Sequence, residues 1–235
     1  MVPPDIRMAA AAGSLGWWLN ATLAGTVPAD QATDHLTGQV LLPGNPSPQP
    51  WLLTVAELRR SGAESIDLRL VEAGDPLGLP GPAAVTSAVV AAGTAVLAPG
   101  LVLIPDPAGR ADALWRGLAA TPQPITAAPL GTLSEARSLM RTAMAELSAT
   151  VNSNDPDEAA LAAIAALRGF APVAPPPGIE PTAAQVADSA LRVWWLTTIA
   201  SELAEREGAP VPEGLRQLRP LARRAASVAF SEPAG

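Results

Sequence analysis

Apolar residues recur at three- and four-residue steps through residues 5–24, where Ile6, Met8, Ala12, Leu15, Leu19 and Leu23 share one side of an amphipathic helix. Pro28 and Asp30 open a second, short helix reaching about Leu36, with Asp34 and His35 in its polar end. The stretch "PGNPSPQP", 43–50, reads as a loop, because its four prolines have no amide to give to a helix or a sheet. "WLLTVAELRR", 51–60, returns to helical spacing and is ended by Gly62. The period then changes from 3.6 to 2. In "SIDLRLV", 65–71, Ile66, Leu68 and Leu70 alternate with Asp67, Arg69 and Val71, which predicts a half-buried strand.

"PAAVTSAVVAAG", 82–93, predicts a helix with Pro82 in its first turn and Gly93 as its stop. "TAVLAPGLVLIPD" is two apolar runs about a Pro-Gly turn, a hairpin, and "ALWRGLA", 113–119, adds a strand. One strand–helix–strand crossover with a hairpin implies a small mixed sheet covered by helices. Helical spacing resumes over 132–151, with Leu133, Leu139, Met140, Met144 and Leu147 expected inside, and again over 156–167. "APVAPPPGIEP", 171–181, is a stiff proline linker. The longest helix follows over 182–207, where Asp188 and Arg192 are spaced to pair. A last helix over 215–230 is expected to kink or restart at Pro220. The predicted fold class is α+β (mixed α/β): a small central mixed sheet, N-terminal helices within 5–36, and a C-terminal helical bundle. An α/β part over 1–125 and a helical part over 130–235 are the expected domains.

Composition narrows the chemistry more than the fold. The 235 residues are 49% hydrophobic and 16% charged, which marks globular material. A net charge of −7 disfavours nucleic acid and anionic membranes as general partners. Lysine, cysteine and tyrosine are missing, all 15 basic residues are arginine, and His35 is the only histidine. Schiff-base chemistry, thiol nucleophiles, disulfides, Cys-type zinc sites and two-histidine metal motifs are thereby excluded. No cofactor is implied. The opening "MVPPDIRMAAAAGSLGWWLNATLAG" imitates a weak signal peptide, but Asn20 and the Trp17–Trp18 pair interrupt its apolar core. The uncharged run 76–105 is broken by Pro80, Pro82, Pro99 and Gly100 before it can span a bilayer. A cytoplasmic protein with no membrane contact is expected.

Four candidate sites remain. "GDPLGLPGPAA", 74–84, lies between a strand and a helix where free amides can meet an anion or nucleotide, at Gly78 to Ala84. Pro76, Pro80 and Pro82 remove amides from it, so a rigid corner in which Asp75 bonds neighbouring amides is the simpler reading. Asp67, Glu72 and Asp75 surround the end of the strand and offer hard oxygen donors for a metal or for acid–base work. His35 suits a solvent-facing helix end better than a catalytic base. Six of the eight aromatic residues are tryptophan, and the adjacent pairs Trp17–Trp18 and Trp194–Trp195 set one ring inward and one toward the margin. Trp18 and Trp195 are thus candidate contact residues for a partner. Arg216, Arg219 and Arg223 form a basic stripe, which Glu202, Glu205, Glu207 and Glu213 lie near enough to neutralise.

The block "GDPLGLPGPAAVTSAVVAAG", followed by "GLVLIPD" and flanked by Ala-rich helical ends, resembles a family of conserved actinobacterial proteins with no assigned activity. That resemblance implies a source and no catalytic residues. The expected function is a non-catalytic binding or scaffold protein that meets a protein partner, another copy of itself or an apolar ligand through its Trp-bearing helices. The alternatives are a carboxylate- or metal-dependent enzyme at the end of strand 65–71, and anion binding at 74–84.

Overall fold

The strand-forming middle of the chain builds one six-stranded sheet, and helices from both ends of the sequence pack on it. A computed structural model describes residues 4–75, 77–79, 82–106, 114–120, 131–153, 171–208 and 213–235. Its helices are α1 (Pro4–Leu23), α2 (Ala29–Thr33), α3 (Trp51–Arg60), α4 (Ala83–Ala92), α5 (Leu133–Ser153), α6 (Pro181–Glu207) and α7 (Glu213–Phe230). The strands are β1 (Gln39–Leu41), β2 (Gln49–Pro50), β3 (Asp67–Leu70), β4 (Thr94–Ala98), β5 (Leu101–Pro105) and β6 (Leu114–Ala119). They lie in the order β2–β1–β6–β5–β4–β3, and only β1 and β6 run parallel. The fold is α+β, as the sequence pattern predicts. The expected helix at 156–167 lies outside the described residues.

Alternation along β4 sorts the two faces. Val96 and Ala98 join Leu68, Leu70 and Leu103 in a large core under α1, α6 and α7, while Ala95 and Leu97 join Val102, Ile104 and the α4 residues Val85 and Val89 in a smaller one. With apolar layers on both sides, β3 is buried rather than half-exposed, and Arg69, expected on a solvated face, is only 4% exposed. The large core takes Trp17 and Trp51 from before residue 125 together with Trp194 and Phe230 from beyond 130.

The strand–helix–strand unit also departs from expectation, since β3 and β4 are antiparallel. Gly93 explains this. At φ +72° it ends α4 in the left-handed conformation, and its carbonyl accepts the Val71 amide at 2.9 Å. The chain therefore enters β4 beside the end of β3 and has to run back along it. The parallel pair that makes the sheet mixed is β1–β6, and β1, with the two-residue β2 at the end of the proline loop, was not anticipated.

Side chains take the place of a further strand at the β3 edge. The Leu70 amide donates to Ser227 Oγ at 3.0 Å, and the Leu68 amide donates to Ser231 Oγ at 2.8 Å. Arg223 Nη1 completes the series on the Leu70 carbonyl at 3.4 Å. Four residues of helix rise about 6 Å and two residues of strand about 6.7 Å, so Ser227 and Ser231 keep pace with Leu70 and Leu68, and the longer Arg223 reaches back to Leu70.

The C-terminal helices carry further corrections. A capping box starts α5: Glu135 Oε2 accepts the Thr132 amide at 2.7 Å, and Thr132 Oγ1 accepts the Glu135 amide at 3.2 Å. Ala136, Met140 and Ala143 form its buried stripe, whereas Leu139 and Met144, expected inside, are 37% and 39% exposed. Small residues let α5 approach α7 closely and turn the larger side chains outward. α7 continues through Pro220 as a single helix instead of restarting there. The proline linker is not a free tether: Ile179 is buried in the large core, and the Gly178 carbonyl accepts the Gly235 amide at 3.1 Å. No helix among the described residues is long and apolar enough to cross a membrane.

Candidate functional site

β3 delivers Glu72 and Asp75 to the end of the sheet, and a two-residue bridge fixes them there. The Glu72 amide donates to the Asp75 carbonyl at 3.4 Å, and the Asp75 amide donates to the Glu72 carbonyl at 3.0 Å. Across from them, Arg219 and Arg223 stand one turn apart on α7. Arg219 Nη2 meets Glu72 Oε1 at 3.0 Å, while Arg223 Nη2 meets Glu72 Oε2 at 3.3 Å and Asp75 Oδ2 at 2.9 Å. Arg223 is 2% exposed. Burial pushes its pKa below the usual arginine value, while Glu72 and Asp75 favour the charged form.

Glu72, Arg219 and Arg223 border a cleft of about 400 Å³ at the same end of the sheet, and Asp75 stands behind Arg223. Its walls are Met8 and Ala9 of α1, Leu70 of β3, and Val90 and Ala92 of α4, with Thr94 and Trp194 beside them and Asp5 at the rim. Four polar atoms in this wall are buried with no hydrogen-bond partner: Trp194 Nε1, Arg219 Nε, Arg223 Nε and Thr94 Oγ1. An unmet buried polar group costs about 1–3 kcal/mol, so four around one cleft are a concentrated expense. Three of the four can only donate.

The carboxylates named from sequence do not assemble as ligands. Asp67 pairs with Arg69 at 3.2 Å on β3, away from Glu72 and Asp75, which answer arginines. Among the described residues no group of three or more acidic, histidine or cysteine side chains is placed to hold a metal ion. Asp75 also differs from its expected role, since its side chain accepts from Arg223. In the 74–84 loop, Gly74 (φ +88°), Leu77 (φ +47°) and Gly78 (φ +68°) take left-handed backbone, while Pro76, Pro80 and Gly81 lie outside the described residues.

The tryptophans named as contact residues are buried within the chain. Trp18 is 9% exposed and stacks on His35 with ring centres 3.8 Å apart, and Trp195 is 2% exposed. Trp17, Trp51, Trp115 and Trp194 are buried as well. Within the arginine stripe only Arg216 is exposed, while Arg219 and Arg223 turn to Glu72 and Asp75 rather than to the nearer glutamates of α6. Sequence reasoning missed Thr94, which is inconspicuous after the Gly93 stop, and missed Trp194 as a donor. The adjacent tryptophans were the available signal for the latter.

Comparison with curated proteins and with solved structures gives no match for this chain. A family model described as the Rv1486c-like protein, N-terminal domain, matches residues 12–129, half of the chain. That span carries α2 to α4, all six strands and most of α1, together with Glu72 and Thr94 of the cleft and Asp75, the partner of Arg223. By this match the chain belongs to the Rv1486c-like protein family.

Proposed function

We propose that the protein is a non-catalytic binding protein whose site is the cleft between α1, α6, α7 and the end of β3. One observation carries this reading: the buried, unpartnered donors collect around a single concave site with an apolar wall. Such a combination is typical of small-molecule sites, where a few placed polar groups orient a mostly apolar ligand. The two Trp-bearing helices take part as walls, α1 through Met8 and Ala9 and α6 through Trp194, and present no indole surface. The titratable groups at the cleft support binding over catalysis, because both arginines are held by carboxylates and a matched ion pair is a poor general acid or base.

The test uses the whole protein and a small-molecule extract of actinobacterial cells. The extract should raise the thermal midpoint of the wild type and leave unchanged that of Ala91→Trp, whose new ring fills the mouth of the cleft. The bound compound should be recovered chemically unaltered. Equal shifts in the two proteins, or no shift in either, would overturn the reading.

A further inference from the structure

The orphaned donors and the charge balance of the cleft together restrict what it can hold, given that it is a binding site as proposed above. The Trp194 indole and the Nε–H groups of Arg219 and Arg223 donate and cannot accept, so a ligand has to bring acceptors to them. A carboxylate or phosphate would bring acceptors, but it would also bring charge. The two guanidiniums are already matched by Glu72 and Asp75, and Asp5 at the rim adds another carboxylate. An incoming anion therefore meets a site with no positive surplus and has to evict a carboxylate to enter. A cation suits the rim and leaves every orphaned donor unmet.

We propose that the cleft takes an uncharged molecule with an apolar body and a carbonyl acceptor, of the amide, ester or lactone class. The two lone pairs of the carbonyl oxygen are received by the Trp194 indole N–H and one guanidinium Nε–H, and the Thr94 hydroxyl turns to whichever partner remains. The body of the ligand lies on Met8, Ala9, Leu70, Val90 and Ala92. Trp194, Thr94 and Arg223 are at least nine-tenths buried, so the ligand reaches them by displacing the charged side chains at the mouth. Arg219 and Glu72, at 32% and 39% side-chain exposure, are the pair able to swing. Binding thus opens the Arg219–Glu72 contact while Asp75 keeps Arg223 neutralised.

Three small probes that share a butyl chain separate the ligand classes: N-butylacetamide, pentanoate and butylammonium. The readout is the ¹⁵N-labelled indole resonance of Trp194, assigned by its loss in Trp194→Phe. N-butylacetamide should move it downfield saturably, the two charged probes should bind about tenfold more weakly or worse, and Ala91→Trp should abolish the response. Tighter binding of pentanoate or butylammonium overturns the uncharged class and leaves the cleft as a binding site. Silence with all three probes overturns the ligand class as well, and the extract experiment then decides whether the cleft binds anything. A shift that persists in Ala91→Trp places the probe elsewhere and overturns the proposal.

Discussion

Asn20 grips Ile66 by both of its backbone groups: Oδ1 accepts the Ile66 amide at 2.7 Å, and Nδ2 donates to the Ile66 carbonyl at 3.3 Å. A single buried amide from α1 thus makes the two bonds that a neighbouring strand would make, one step before the Ser231 and Ser227 contacts take over. Replacing it by leucine leaves two buried backbone groups unmet. Asn20→Leu should lose about 2–4 kcal/mol in urea denaturation. Asn20→Asp, which keeps the acceptor, should lose more than a surface Asn→Asp control, because it puts an unpaired charge against the Ile66 carbonyl.

The same edge gives a more local readout. Ser227→Ala orphans the buried Leu70 amide and should cost about 1–3 kcal/mol. Ser231→Ala, at a partly buried site, should cost less. Hydrogen exchange should quicken at the Leu70 amide in the first variant and at the Leu68 amide in the second, with the β4–β5 amides following global stability alone. Uniform acceleration across the sheet in both variants would show that α7 does not act residue by residue.

Gly13 inverts the usual helix rule. In an open helix Gly→Ala gains about 0.5–1 kcal/mol, but a Cβ at Gly13 would overlap the ring of Phe230, which is fully buried against Trp17. Crowding of this kind costs about 1–3 kcal/mol and should outweigh the gain. Gly13→Ala is therefore expected to lower stability. Combined with Phe230→Leu, it should show a favourable coupling of about 1 kcal/mol in a double-mutant cycle.

Glu232 sets a pH dependence. Partial burial raises its pKa above the ordinary glutamate value, and Glu180 adds to the rise. The folded chain consequently holds this proton more tightly than the unfolded chain. The stabilisation is fully present below the unfolded value, about 4.3, and is lost as pH climbs through the folded one. Denaturation midpoints followed upward from that value should fall in the wild type. In Glu232→Gln that part of the slope should vanish, and a slope unchanged in the variant would assign it elsewhere.

Much of this architecture can be read from local pattern. Residues 51–60 and the Gly93 stop fall where the spacing puts them, as do the hairpin about Pro99–Gly100 and the Asp188–Arg192 pair at 2.8 Å. Each is settled by neighbours within a few residues. The departures share a different origin. Arg223 finds Asp75 across 148 residues and Ser227 finds Leu70 across 157, distances at which no spacing rule operates. Burial of Ala136 and Ala143 in preference to Leu139 was hidden because hydrophobicity ranks leucine first, whereas close approach of α5 to α7 favours the smaller side chain. The three-residue β1 is too short to show a period at all. The cleft was half legible: its acids and arginines stood out as types, and their mutual neutralisation did not.

Translation is vectorial, and the surrogate bonding along β3 depends on groups made long after that strand. At about 5–20 residues per second, the 157 residues between Leu70 and Ser227 take on the order of ten seconds to appear. Throughout that interval the nascent sheet shows an unprotected border, the form of backbone most prone to recruit a neighbouring chain. Synthesis of this protein at high density on one messenger is thus exposed to pairing between adjacent nascent copies until residue 231 has cleared the ribosome.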